Sequence, residues 1–311
     1  MNDQLAAADR AQPIARPIAR PAKIAHIAVG VSAFAEGQDA AALGAALARA
    51  TGADLMLIAV LSNPLILPPT GISWKSLRQQ AESALAQIRD HVMPDARVTV
   101  RTDISVARAL RSVVARQHRD LLVVGSSHKA PEGSVRIGKR ARQLIGYAGC
   151  ALAIAPRGMH NKTDIPLRRI GVGYDGGPES EAALSLAASI ALTARARLHI
   201  CAVVDDRAKS ARWSPAPALH HEPDDRVRAE LELLRERALT AAHPLDPSAQ
   251  VDVRRGRPAD ALLDLCADVD LLVVGSRRWG TVARVLLGST GESLAYHATC
   301  PILIVPRAPD R

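Results

Sequence analysis

The chain repeats itself at an offset of 150 residues. The segment Asp-Leu-Leu-Val-Val-Gly-Ser occupies residues 120–126 and again residues 270–276, and Gly138 recurs as Gly288. A repeat of this length indicates a duplicated domain, because the units of solenoids and propellers are far shorter. The sequence therefore predicts one fold written twice, in which each position of one copy can be compared with its counterpart in the other.

Each copy alternates short apolar runs with longer segments of helical periodicity. In the first copy the pattern predicts strands at residues 24–31, 54–61, 97–102, 120–124 and 151–155, and helices at residues 36–50, 73–91, 105–118 and 138–147. In the second copy it predicts strands at residues 170–174, 197–204, 249–254, 270–274 and 301–305, and helices at residues 178–194, 225–242, 258–267 and 288–297. This alternation predicts an α/β fold of two tandem Rossmann-like, doubly wound domains, each a five-stranded parallel sheet with helices on both faces.

The repeat also predicts the domain limits. Residues 1–22 carry prolines four apart and are expected to form a disordered tail. The first domain is expected at residues 23–157, a linker at 158–167 and the second domain at 168–308. Ligands of doubly wound sheets bind beyond the carboxyl ends of the strands, so the residues after the first and fourth strands of each copy are the candidate sites.

The amino-acid composition excludes some classes of function. Aromatic residues make up 2% of the chain, too few for the stacking platforms that hold single-stranded nucleic acid, so nucleic-acid binding is not expected. The net charge of +9 falls entirely within residues 1–165, partly in the tail and partly around residues 129–142. This surplus fits either a solvated basic surface or an anion-binding surface.

Membrane and metal chemistry have little support in the sequence. No run of eighteen apolar residues and no apolar signal core occur, so a cytoplasmic protein without a membrane segment is expected. The four cysteines lack metal-site spacing, and three of them lie in or beside apolar runs and are expected to be small buried hydrophobes. His220, His221 and Glu222 lack a third ligand at a suitable spacing, so no metal site is predicted there.

The second copy carries the strongest motif. Gly275, Ser276, Arg277 and Arg278 follow its fourth strand, and Gly288-Ser289-Thr290 then opens a helix. The amides and hydroxyls at such a helix start, with the positive end of the helix dipole, suit a phosphate. An ordinary strand glycine and helix cap are the alternative. Asp175 ends the first strand on the same rim, where it can accept hydrogen bonds from a ribose or a base, or cap the next helix.

These motifs resemble the universal stress protein family. The resemblance is carried by Asp-Gly-Gly-Pro-Glu-Ser at 175–180, Val-Val-Gly-Ser-Arg at 273–277, Leu-Leu-Gly-Ser-Thr at 286–290 and Cys-Pro-Ile-Leu-Ile-Val-Pro at 300–306, and it covers residues 24–308. Nucleotide-binding members of this family bind ATP without a well-defined reaction. The resemblance implies an ATP site in the second copy, with or without Mg²⁺, and no catalytic residues. Its expected contacts are Gly173, Tyr174, Asp175, Val203, Gly275, Ser276, Arg277, Arg278, Gly288, Ser289 and Thr290.

The two copies depart from the family pattern to different extents. Arg278 stands where the family has its second glycine, and its side chain would either block the phosphates or contact them. The first copy departs further: it has Ser32 at the position of Asp175, His128 at that of Arg278, and Lys139 at that of Ser289. The first copy is therefore expected to be a degenerate site. The segment 133–139 has phosphate-loop spacing, but it lacks the Ser or Thr that binds magnesium and does not follow its strand directly.

The resulting expectation is a tandem universal stress protein that regulates a stress response through nucleotide-dependent contacts. Two alternatives stay open: a slow ATPase, and an interaction scaffold that binds no nucleotide. The resemblance also implies dimers paired through the last strand, either between two molecules or between the two copies of one chain, and an unidentified protein partner.

Overall fold

A computed structural model gives the fold of the chain and describes residues 23–32, 35–62, 73–145, 150–162, 164–205, 223–278, 285–286 and 288–306. The tail expected at 1–22 and the triplet 220–222 lie outside the described residues.

Regular structure follows the predicted alternation in both halves. The first half contains β1 (His26–Val31), α1 (Ala35–Thr51), β2 (Asp54–Ser62), α2 (Trp74–Val92), β3 (Arg97–Asp103), α3 (Val106–Arg116), β4 (Leu121–Gly125), α4 (Lys139–Ile145) and β5 (Ala151–Ala155). The second half contains β6 (Arg169–Tyr174), α5 (Pro178–Ala194), β7 (Arg197–Val204), α6 (Pro223–Ala242), β8 (Gln250–Arg255), α7 (Pro258–Leu265), β9 (Leu271–Gly275), β10 (Arg277–Arg278), β11 (Val285–Leu286), α8 (Ser289–His297) and β12 (Ile302–Val305).

Ten of these strands form one sheet in the order β3-β2-β1-β4-β5-β12-β9-β6-β7-β8, and β10 and β11 form a separate antiparallel pair. Within the large sheet, every pairing inside a half is parallel. The prediction of two tandem α/β domains is confirmed. The halves join through β5 and β12, which are antiparallel, with Leu303 opposite Ala153. In this chain the last-strand edges therefore pair with each other.

Helices cover both faces of the sheet, as burial of the strands on both sides requires. One layer of core joins α1, α2, α5 and α6 to the sheet, and the other joins α3, α4, α7 and α8. Ala, Val, Leu and Ile fill both layers, and Ile27, Leu57, Leu121 and Ile170 are completely buried.

The predicted linker contains a short 3-10 helix, Met159–Asn161, that is held on α1. Asp39 of α1 is fully buried, and its carboxylate accepts hydrogen bonds from the amides of Gly158 (3.0 Å) and His160 (2.9 Å). The ring Nδ1 of His160 lies 2.5 Å from the same carboxylate. A buried carboxylate is tolerated only when it is bonded in this way, so Asp39 holds the start of the linker against the first domain.

Candidate functional site

Asp175 follows β6 directly and closes the turn that leads into α5. Its Oδ1 accepts a hydrogen bond of 2.9 Å from the amide of Gly177. Gly176 between them has a φ of +75°, which glycine adopts without steric cost. The turn holds an exposed carboxylate at the strand end where the sequence predicted an adenosine contact. The bond closes a turn before α5 and does not cap the helix, because Gly177 is the N-cap residue and α5 has no side-chain cap.

The neighbouring predicted contacts in β6 and β7 belong partly to the core. A Cβ at Gly173 would lie 3.0 Å from the side chain of Leu262, so this glycine makes room for α7. The side chain of Tyr174 is only 5% exposed. Burial, followed by the Glu181 carboxylate, raises the pKa of its hydroxyl. Val203 is half-buried. Tyr174 can therefore offer a ligand little besides its backbone.

Gly275 allows α5 to approach the end of β9. A Cβ at this position would lie 2.5 Å from the backbone oxygen of Glu179, closer than side chains come to a backbone atom. The sequence predicted that this glycine admits a ligand, whereas the structure shows it admitting the first turn of a helix. The close approach brings the turn at Asp175 next to the end of β9.

Ser276 differs from its counterpart Ser126 in the bonding of its hydroxyl. The Ser126 hydroxyl donates to the carbonyl of Ala155 (2.7 Å) and accepts from the amide of Arg136 (3.2 Å). Ser276 is as deeply buried, at 2% exposure, yet its Oγ has no hydrogen-bond partner among the residues described. Buried hydroxyls without partners are rare and mark places where a water, an ion or a ligand binds.

The start of α8 presents backbone amides without a side-chain cap. Gly288 is the N-cap residue and has no side chain with which to bond them. The first helical hydrogen bond runs from the amide of Glu292 to the carbonyl of Gly288 (2.8 Å). The amides of Ser289, Thr290 and Gly291 precede that bond and are left for an outside acceptor. Ser289 itself is exposed.

The backbone between β9 and α8 begins with a two-stranded antiparallel ribbon. Arg277 pairs with Leu286, and Arg278 pairs with Val285. The sequence predicted a plain loop here. The arginine side chains lie outside the part of the chain that the structure describes, so contact between Arg278 and phosphate stays a prediction.

The corresponding segment of the first domain forms hydrogen bonds with other residues of its own domain. The amide of Ser127 donates to the carbonyl of Arg136 (2.8 Å), and Arg157 Nη1 donates to the carbonyl of Ala130 (2.8 Å). Ser32 is half-buried, while His128 and Lys139 are exposed. Among its described residues, the first domain thus has neither a carboxylate directly after β1 nor an unpartnered buried hydroxyl at the β4 end.

The basic residues at 129–142 are partly used within the fold. Arg136 Nη1 donates to the carbonyl of Lys129 (3.3 Å). Arg142 Nη2 donates to the Tyr296 hydroxyl (2.7 Å), and its guanidinium lies 5.6 Å from the centre of the Tyr296 ring. Of this cluster, Arg142 therefore links the two domains, and anion binding by the other basic residues stays a prediction.

The same loop of the first domain bonds the end of α8. The amides of Ile137 and Val135 donate to the carbonyls of Ala295 and Ala298, each at 2.7 Å. Val135 is completely buried and Ile137 is 5% exposed. The last carbonyls of a helix have no partner inside it, and here the other domain supplies the donors. One end of α8 thus faces the candidate site, and the other end is bonded to the first domain.

Sequence reasoning missed two contributors to this region. Arg237 of α6 passes 3.9 Å from the place of a Cβ at Gly176, which brings a guanidinium close to the Asp175 turn. Tyr296 and Glu292 of α8 bond Arg142 across the domain boundary. Neither follows from the repeat, because both depend on contacts between segments far apart in the chain.

No group of three or more metal-ligating side chains occurs among the residues that the structure describes. None of the helices seen there combines the length and the apolar character needed to cross a membrane.

Comparison with known proteins identifies the family to which this fold belongs. The sequence profile of the universal stress protein family matches residues 23–156 and again residues 166–306. The chain belongs to the universal stress protein family. Since each half matches separately, it is a tandem member, as the resemblance indicated.

Relatives of the same length share this arrangement. A universal stress protein of Mycolicibacterium smegmatis is 29% identical over 295 residues, which cover 90% of this chain and 96% of that protein. One from Mycobacterium tuberculosis is 25% identical over 298 residues, covering 92% and 99%. The crystal structure of a universal stress protein from Archaeoglobus fulgidus superimposes with a TM-score of 0.64 at 17% identity, covering 91% of this chain and 98% of that one. This last likeness supports the fold alone.

Proposed function

We propose that the second domain of this universal stress protein binds an adenine nucleotide, with ATP as the first candidate, and that binding regulates contacts of the protein. The observation that carries the proposal is the difference between Ser276 and Ser126. The two serines occupy the same position in the two domains. The buried hydroxyl of Ser126 donates one hydrogen bond and accepts another, whereas the buried hydroxyl of Ser276 has no partner among the described residues.

The described residues suit the parts of a nucleotide. The amides of Ser289, Thr290 and Gly291 would bind phosphate oxygens at the positive end of α8. The exposed carboxylate of Asp175 would accept hydrogen bonds from the ribose, on the same edge of the sheet. Magnesium would be bound mainly by phosphates and water, as is usual for this ion. The first domain has a similar helix start at Gly138, but it has Ser32 in place of the Asp175 carboxylate and a bonded Ser126 hydroxyl in place of Ser276, so it would serve structure or regulation.

The surroundings of Ser289 argue against covalent catalysis by this serine. No described side chain forms a hydrogen bond with its hydroxyl, whereas a nucleophilic serine needs an adjacent base. A slow ATPase remains the alternative, in which Asp175 or a metal-bound water takes part. It predicts magnesium-dependent phosphate release that exceeds the release by a Ser289→Ala variant.

Helix α8 connects the proposed phosphate site to the first domain. Its first turn would bind phosphates, and its last carbonyls accept hydrogen bonds from Val135 and Ile137 of the first domain. If α8 has two arrangements, a ligand that binds its first turn more tightly in one of them would favour that arrangement. The hydrogen bonds at the last turn of α8 would then change as well. This shift would alter the surface offered to a partner protein or a second subunit. We expect the protein to act in the cytoplasm, and the domain limits at 23–157 and 168–308 remain predictions.

The proposal is tested by calorimetric titration of the full chain with ATP, with and without Mg²⁺, after removal of any co-purified ligand. Small molecules released by heating the purified protein are identified by mass spectrometry in parallel. We expect one site per chain and an adenine nucleotide in the released fraction. Absence of both would favour the interaction scaffold without nucleotide.

A further inference from the structure

The first domain has an open cleft of about 510 Å³ away from the residues discussed above. It is lined by Leu61, Trp74, Lys75, Arg78 and Thr102, which we call the α2 cleft. Leu61 and Thr102 are register partners near the carboxyl ends of β2 and β3 and form its floor. Trp74, Lys75 and Arg78 come from the first turns of α2 and form its wall.

The lining combines an apolar surface with positive charge. Leu61 and Trp74 are half-buried, while Lys75 and Arg78 are exposed at the rim. The first turn of α2 contains no acidic residue. Among the residues described, no carboxylate pairs with Lys75 or Arg78, and Asp103, the neighbour of Thr102, is bonded to Arg108 at 2.9 and 3.1 Å. The two cations are therefore available to a ligand.

The charge at the start of α2 can be compared with that of the corresponding helix in the second domain. The corresponding helix α6 begins with Pro223, Asp224 and Asp225 in sequence, and the Asp225 carboxylate lies 3.8 Å from Arg228. An aromatic residue and two basic residues without a carboxylate partner among the described residues therefore lie together at the start of α2, where α6 has two acidic residues in sequence. They also belong to the half that carries the whole surplus of positive charge.

We infer that the α2 cleft is a binding site for a small aromatic carboxylate. The indole of Trp74 and the side chain of Leu61 offer a flat apolar contact for a ring. Lys75 and Arg78 supply charge-assisted hydrogen bonds to an anion at the rim. A volume in the usual range for ligand sites favours a molecule of one or two rings over a macromolecule. The inference does not depend on nucleotide binding by the second domain.

The test is a titration of the full chain with naphthoate, followed by calorimetry and tryptophan fluorescence. Naphthoate should quench part of the emission, and Trp74→Leu should abolish both that quenching and the heat of binding. The double variant Lys75→Gln/Arg78→Gln should weaken binding by about ten-fold or more. Its control is Arg226→Gln/Arg235→Gln on the exposed side of α6, which removes the same charge and should leave the affinity unchanged.

Two comparisons separate this site from a general affinity for anions or for rings. Uncharged naphthamide should bind at least about ten-fold more weakly than naphthoate, because it cannot use the cations. Gly288→Asp, which removes the proposed nucleotide site, should bind naphthoate as the wild type does. Failure of naphthoate to bind, equal binding of naphthamide, or equal losses in the two double variants would overturn the inference.

Discussion

The guanidinium of Arg142 in the first domain lies 3.6 Å from the carboxylate of Glu292 in the first turn of α8. Glu292 is the acidic residue in the same first turn as the amides that would bind phosphate. Arg142 partly neutralises this charge, and its bond to Tyr296 fixes its position along the same helix. A residue of one domain thus adjusts the electrostatics at the candidate site of the other.

Arg142→Ala should therefore weaken ATP binding by about two- to ten-fold, since the Glu292 carboxylate would then repel the phosphates without compensation. Stability should change by less than about 1 kcal/mol, because both side chains are half exposed. Calorimetry at low and high salt measures the effect, which should shrink as salt screens the charges.

Arg108→Ala is the matched control for that variant. It removes an ion pair with Asp103 from α3, and its arginine side chain is about as exposed as that of Arg142. Equal losses of ATP affinity in the two variants would contradict a specific role for Arg142.

Gly275→Ala should destabilise the second domain by about 1–3 kcal/mol, because the added methyl group would press on the backbone of Glu179. Gly138→Ala is the control, since a Cβ there meets nothing closer than 3.8 Å. Urea unfolding of both variants gives the comparison. Similar free energies of unfolding would show that α5 does not depend on this close approach.

Asp39→Ala should cost on the order of 3 kcal/mol, because it leaves the amides of Gly158 and His160 without their buried acceptor. Asp90→Ala, which removes an exposed carboxylate paired with its neighbour Arg89, should change stability by less than about 0.5 kcal/mol. Thermal unfolding of both variants measures the difference. A small loss in Asp39→Ala would mean that the linker is held by other contacts.

The Cys201 thiol should resist alkylation in the folded protein. Burial raises its pKa to about 11, so at pH 8 only about one thiol in a thousand is ionised, against roughly a quarter in an unfolded chain. Iodoacetamide labelling followed by peptide mass spectrometry measures the contrast between native and urea-unfolded protein.

The same shift has a consequence for stability. The raised pKa favours the folded state while the thiol is protonated, so this contribution is complete below about pH 8.5 and falls as pH rises towards 11. Rapid labelling of Cys201 at pH 8 in the native state would contradict the buried position of this thiol.

The sequence predicted most elements to within one or two residues, because apolar periodicity and the repeat report on burial. The strand at 151–155 and the helix at 178–194 agree with β5 and α5 at both ends. It could not decide whether the last strands pair within the chain, since β5 and β12 are similar in either arrangement.

The candidate site shows what local patterns leave out. The position of Asp175 after a strand was predictable from alternation and the carboxyl-edge rule. The packing of Gly275 against Glu179 and the different bonding of Ser126 and Ser276 were not, because they depend on how helices settle on the sheet. A glycine in such a motif allows the close approach of either a ligand or a helix, and the sequence alone does not distinguish the two.

The most direct measurement is the ATP affinity of the variants Gly288→Asp and Gly138→Asp. Gly288 has a φ of −64°, which any residue adopts, so aspartate there should not prevent folding. Its carboxylate would occupy and repel the phosphate position at α8, whereas Gly138 begins the equivalent helix of the first domain. The account predicts that calorimetry finds no ATP binding by the first variant and wild-type affinity in the second. Wild-type affinity in Gly288→Asp, or loss in Gly138→Asp, would contradict it.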